Sequence, residues 1–277
     1  MVGVMTLDAM GAQALDYLPC RYGNSKLLFR GPRRDLSEPY IAFLGANETY
    51  GKFIETPFVA MLEEDLSMTC ANFGCLNAGV DVFLHDPFVP DATAKARLTV
   101  LQVPCAQNLS NRFYTVHPRR NDRFVSATKM LQAIYPDVDF AKFHFNKHML
   151  GALKQMSEER FWLVEQELRQ AWIARMRTLM ERISGKVVLT WISARAPNDL
   201  DRIDVEPMHV TGEMLELVRP HATEYVEVKL SPEALENPLN GMIYSQMDAP
   251  AAQEMLGLKA HREISQTLGP VLKRMVH

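Results

Sequence analysis

Four strand-length runs, each apolar almost throughout, constrain this chain more than any other feature. They lie at 40–45 (YIAFLG), 68–74 (MTCANFG), 98–105 (LTVLQVPC) and 186–193 (KVVLTWIS). A strand with one face in water alternates polar and apolar side chains, whereas a strand covered on both faces has no such requirement. These four therefore read as parallel strands between layers of helix. A fifth run, 224–230 (EYVEVKL), alternates and reads as an edge strand.

Helical patterns separate the runs. Residues 57–66 (PFVAMLEEDL) open with a proline at a first-turn position. Residues 157–183 form the longest pattern. Ser157 is a good N-cap, and Glu158 and Glu159 suit the positive helix end. Phe161, Val164, Leu168, Trp172, Leu179 and Ile183 make one apolar stripe before Gly185. Two more helices are expected at 211–222 and 253–275. Strands alternating with helices imply right-handed crossovers and a doubly wound α/β sheet.

With 277 residues, 47% of them hydrophobic, and no linker-like segment, a single α/β domain is expected over 1–277. Residues 1–39 read as an amino-terminal extension. Residues 106–156 read as a helical insertion after the third strand that caps the ligand site; at about fifty residues it far exceeds an ordinary connection. Within it, 126–135 and 142–153 look helical.

A net charge of −3 with 23% charged residues excludes a broad nucleic-acid or membrane surface. No run approaches the roughly 18 apolar residues of a spanning helix. The start carries Asp8 and Asp16 and no basic stretch, so the cytoplasm is the expected compartment. Cys20, Cys70, Cys75 and Cys105 have no paired spacing and read as free thiols.

Open sheets of this kind bind ligands outside the carboxyl ends of their strands. The first expected strand runs into Gly45-Ala-Asn-Glu-Thr-Tyr-Gly51, the second into Gly74-Cys-Leu-Asn-Ala-Gly79, the third into Cys105-Ala-Gln-Asn108. The order and wording of these blocks resemble the SGNH, or GDSL, family of esterases and acyltransferases. That family reads Gly-Asp-Ser-x-Thr-Tyr-Gly, Asn-x-Gly-x-x-Gly and Gly-x-Asn-Asp after successive strands, with a late Asp-x-x-His before its last helix. The resemblance covers 40–108 and, faintly, 248–272, and implies a flavodoxin-like five-stranded sheet. The chain also resembles a group of uncharacterised bacterial proteins known only as a domain of unknown function.

The departures from the SGNH pattern bear on chemistry. Asn47 stands at the serine position, and Asn77 replaces a glycine whose amide helps form the oxyanion hole. Gln107-Asn108 stands where Asn-Asp is expected, and Asp248-Ala-Pro-Ala251 keeps the late carboxylate without the histidine. Without a hydroxyl beside a base, the acyl-enzyme route is closed.

What is left is a ring of amides, Asn47, Asn77, Gln107 and Asn108, with Glu48 beside them. Such amides orient sugar hydroxyls or a carbonyl oxygen, or else satisfy strand-end backbone groups. Arg112, His117, Arg119, Arg120 and Arg123 crowd one loop. Guanidinium groups favour planar anions, with a plain solvated loop as the alternative. If the insertion covers the strand ends, His117 is a replacement base.

The catalytic candidates are therefore His117, Glu48 and Asp248. The substrate-binding candidates are Asn47, Asn77, Gln107, Asn108, Arg112, Arg119 and Arg120. His144 and His148 would share a helix face but lack an acidic third ligand, so no metal and no cofactor is expected. Ser110 and Ser126 are the nearest hydroxyls, with capping as their simpler role, and Cys75 reads as an inert buried thiol. The expected function is an esterase or an acyl or group transferase acting on a carbohydrate or an anionic ester. Its partner is a small-molecule or carbohydrate ligand, anionic in character, with neither nucleic acid nor membrane. The alternative is a catalytically inactive pseudoenzyme that binds an anionic or glycan ligand.

Overall fold

The computed structural model describes residues 15–276. The beginning of the extension expected over 1–39, Asp8 included, lies outside the described residues. The strands and helices in chain order are β1 (Tyr40–Leu44), α1 (Asn47–Tyr50), α2 (Phe58–Leu66), β2 (Thr69–Asn72), α3 (Val80–Leu84), α4 (Val89–Lys95), β3 (Leu98–Gln102), β4 (Tyr114–His117), β5 (Arg120–Ala127), α5 (Lys129–Ile134), α6 (Asn146–Met156), α7 (Glu158–Arg182), β6 (Val187–Ser193), α8 (Gly212–Val218), β7 (Glu224–Lys229), α9 (Pro232–Leu235), α10 (Ala249–Gln253) and α11 (Leu258–Val276).

The five apolar runs become one parallel sheet of order β2-β1-β3-β6-β7. This order reverses direction between β1 and β3, which opens a crevice at their carboxyl ends. Alternate residues of each strand serve opposite faces. Tyr40, Ala42, Leu44, Leu101, Leu189 and Trp191 pack with α3 and α7. Ile41, Phe43, Val100, Val188 and Ile192 pack with α2 and α11. β7 is an edge strand, and only Val226 and Val228 of its six residues are buried, as its alternation requires.

The stripe expected on α7 is the buried one. Trp172 at its centre is fully enclosed, and its indole N–H donates to the Pro104 carbonyl at 2.9 Å, fastening the helix to the chain that leaves β3. Ser157 caps the helix by accepting from the Arg160 N–H.

The insertion corrects a sequence expectation, because it is not wholly helical. β4 and β5 form an antiparallel hairpin whose tip is Pro118-Arg119. Tyr114, Val116 and Phe124 point inward and are buried, an alternation that makes strands of what reads as a charged loop. The helix expected over 126–135 begins only after Thr128, whose hydroxyl accepts from the Leu131 N–H; Ser126 and Ala127 end β5. The helix expected over 142–153 begins at Asn146, and the one expected from 253 begins only at Leu258, after α10 has ended at Gln253. Among the described residues, no helix is long and apolar enough to cross a membrane.

Candidate active site at the strand ends

The crevice is built from four loops. β1 runs through Gly45 into α1, whose first residues are Asn47 and Glu48. A Cβ at Gly45 would collide with Thr49 Oγ1 and Gln102 Oε1, so only glycine lets β1 and β3 end this close together. Gln102, the last residue of β3, is buried. Its Oε1 accepts from Ala46 N at 3.0 Å, Thr49 N at 3.3 Å and Thr49 Oγ1 at 2.6 Å. Its Nε2 donates to Glu48 Oε2 at 2.5 Å. One buried amide thus fixes the turn after β1 and aims its carboxylate.

The loop after β2 supplies Asn77, held at φ 54, a left-handed conformation that asparagine tolerates better than most residues. Asn47 Nδ2 donates to Asn77 Oδ1 at 2.8 Å, and Asn77 N donates back to Asn47 Oδ1 at 2.9 Å. Asn77 Nδ2 donates to Asp122 Oδ2 at 3.3 Å. After β3, Asn108 Oδ1 accepts from Asn146 Nδ2 at 3.3 Å, and that same Nδ2 reaches the Asn121 carbonyl at 2.5 Å. The hairpin and α6 are thereby tied to the strand ends.

The fourth loop follows β6 and carries Glu206. Arg195 is fully buried and donates to the carbonyls of Val205, Pro207 and Val210 at 3.1, 2.8 and 2.7 Å, and so holds the loop in shape. Ser193 Oγ donates to the Glu206 carbonyl at 2.6 Å. The Glu206 carboxylate accepts from the Cys105 thiol.

Together these loops enclose a cleft of about 440 Å3 whose walls include Asn47, Glu48, Asn77, Asn108, Asp122, Lys147 and Glu206. Burial, and then the neighbouring Glu206 charge, push Glu48 up to about 7. Burial also raises Glu206, against the opposing pull of the Cys105 hydrogen bond and the Lys147 charge. Burial, followed by the Glu206 charge, drives the Cys105 thiol well above the usual thiol range, so it stays protonated and donates. The wall carries the carboxyl groups of Glu48, Asp122, Glu206 and Glu254 against the single ammonium of Lys147. That balance suits a neutral or cationic ligand better than an anion.

The family model described as Domain of unknown function (DUF6473) matches residues 5–276. The chain belongs to this family. Among solved structures, it is similar to the lipase Lip_vut3 from a goat rumen metagenome at 13% identity, covering 83% of this chain and 96% of that one with a TM-score of 0.41. A search of curated proteins finds no match.

In this DUF6473 member, Asn47, Glu48, Asn77, Gln107 and Asn108 line the one cleft. The other candidates lie elsewhere. Arg112 is held by Glu167, with Nε to Oε2 at 2.5 Å and backbone N to Oε1 at 2.9 Å. His117, Arg119 and Arg120 sit at the hairpin tip and line a different groove. Asp248 accepts from Ser245 Oγ at 2.6 Å in the turn before α10 and is not part of the cleft wall. The insertion reaches the cleft through Asp122, Phe145, Lys147 and His148 instead of His117.

Ser110 Oγ accepts from Val116 N at 3.1 Å, and Ser126 Oγ pairs with Thr115 Oγ1 at 2.9 Å, so both hydroxyls are spent on the hairpin. No group of three metal-binding side chains occurs among the described residues. Glu206 escapes a reading that stops at the first three strand ends. The available signal is topological: a strand paired beside β3 returns its own loop over the same end of the sheet.

Proposed function

We propose that this cleft is the active site of a hydrolase that cleaves a C–O bond of an uncharged, carbohydrate-like substrate with water as the nucleophile. The observation that carries the reading is the pair of carboxyl groups, Glu48 and Glu206, delivered by different loops to one cleft lined with amides. Two carboxyl groups whose environments differ supply an acid and a base without any protein nucleophile. Glu206, whose carboxylate accepts the Cys105 S–H, takes a proton from water as the water oxygen bonds to the substrate carbon. Glu48, kept protonated by burial, gives its proton to the leaving oxygen as the C–O bond breaks. The proton gained by Glu206 then returns to Glu48 and resets the pair. The resemblance to SGNH proteins agrees with the location of the site, while Asn47 at the serine position removes the covalent route.

The test is turnover of a panel of nitrophenyl glycosides and nitrophenyl acetate. Glu48→Gln and Glu206→Gln should each reduce turnover by about a hundredfold or more, the usual contribution of a positioned acid or base. Wild-type turnover should fall as pH rises through about 7, where Glu48 loses its proton. Full activity in both variants would refute the assignment.

A second reading, a ligand-binding pseudoenzyme, draws on one observation. Asn47 and Asn77 spend their side chains on each other and on Asp122, which favours a fixed recognition surface over a chemical role for these two. Saturable sugar binding with no turnover on any panel member would favour that reading.

A further inference from the structure

A second groove, of about 470 Å3, lies on the other side of the turn that carries Leu76 and Asn77. Leu76 faces this groove, whereas Asn77 faces the acidic cleft. Its rim holds Arg21 and Lys26 from the amino-terminal segment and Arg119 and Arg120 from the hairpin tip. Among the described residues no carboxylate lines it, and none of these four cations takes part in an ion pair. An adjoining recess, shared through Lys26 and Arg119, contains Asp86. That carboxylate is already engaged, with Oδ2 accepting from Ser25 Oγ at 2.8 Å and Oδ1 from Phe88 N at 3.0 Å.

The same groove exposes apolar surface. Leu28 is 54% exposed and Leu76 37% exposed, both large side chains that folding normally covers. Two segments distant in sequence therefore converge four cations around exposed leucines, on a chain whose net charge is −3. Four exposed cations around one groove, with Asp86 as the nearby counter-charge in the adjoining recess, make a local positive potential that attracts an anion. A phosphate dianion, with two charges and several acceptor oxygens, makes fuller use of such donors than a carboxylate does.

We infer that this groove binds a phosphate monoester bearing a short apolar tail. The phosphate sits among Arg21, Lys26, Arg119 and Arg120, and the tail lies on Leu28 and Leu76. This site is independent of the acid–base reading of the neighbouring cleft.

Hexyl phosphate, hexanol and inorganic phosphate are titrated into the full chain by calorimetry at low salt. Hexyl phosphate should bind saturably at one site, at least about tenfold more tightly than either fragment. An Arg119→Ser/Arg120→Ser double variant should weaken it by about tenfold or more, and Arg21→Ser, on a separate segment, should act in the same direction. About 0.5 M salt should weaken it as well. Equal binding in the double variant, or no saturable binding by the wild type, overturns the inference. Loss of binding in Glu48→Gln with retention in the hairpin variants would place the ligand in the acidic cleft and also overturn it. Association with phosphatidate-containing vesicles in the absence of hexyl phosphate binding would make the patch a membrane contact and not a small-molecule site.

Discussion

Individual side chains at the strand ends act mainly through their hydrogen-bonding inventories. Gln102 directs one oxygen to three donors and one N–H to Glu48, so the position of the carboxyl group is set from β3 while its backbone belongs to α1. Asn77 combines a left-handed backbone with a side chain bonded to Asn47 and Asp122. The two contributions separate by substitution. Asn77→Gly keeps the conformation and loses the amide. Asn77→Ala loses both, and should be less stable than the glycine variant by about 1–2 kcal/mol, the cost of placing a Cβ in that region. Urea midpoints of the two variants check this; equal midpoints would show that the backbone conformation is not strained. The amides Asn47, Asn77, Gln107 and Asn108 are legible in the sequence because turn residues at strand ends face the crevice of any such sheet. Their mutual bonding is not legible, since it depends on how closely β1 and β3 end, which the collision expected for any Cβ at Gly45 reveals only in three dimensions.

At the level of elements, the strands and the long helix follow from burial patterns that survive in one dimension. A run covered on both faces, or a stripe recurring every three to four residues, needs no tertiary context to be recognised. The hairpin does: Tyr114, Val116 and Phe124 alternate, but HPRR at the tip mimics a solvated loop, and register shifts interrupt the pairing beside Val116. α1, α3 and α4 are too short to show a period. The contact between α11 and α2 illustrates a dependence no local pattern predicts. His261 of α11 is buried, stacks on Phe58 with ring centroids 5.8 Å apart, and through Nδ1 accepts the Phe58 N–H at 3.2 Å, satisfying the first amide of α2. His261→Leu should cost about 1–3 kcal/mol by leaving that buried N–H unpaired. Burial, helped by the Arg30 charge, lowers the His261 pKa from 6.5 to about 3, so between those values the unfolded chain binds a proton that the folded chain does not. The wild type should therefore lose stability as pH falls from 6.5 towards 3, and His261→Leu should lose that component of the slope. Denaturation series across this range decide it; parallel slopes for the two proteins would contradict the burial argument.

The whole molecule separates opposite charges across one turn, with an acidic cleft at the crevice and a basic groove beside the hairpin. No serine or threonine lines the cleft among the described residues, so a fluorophosphonate probe should leave the intact mass unchanged. A single labelled serine would return the protein to the covalent chemistry of the SGNH pattern. Acid–base chemistry in this cleft requires Glu48 and Glu206 to sense each other. The direct measurement is a carbon NMR titration of the glutamate side-chain carboxyl groups in the wild type and in Glu206→Gln. Glu48 should titrate near 7 in the wild type, and its midpoint should move down towards the ordinary 4.5 when the Glu206 charge is removed. A Glu48 midpoint already near 4.5, unmoved by Glu206→Gln, would contradict the acid–base pair.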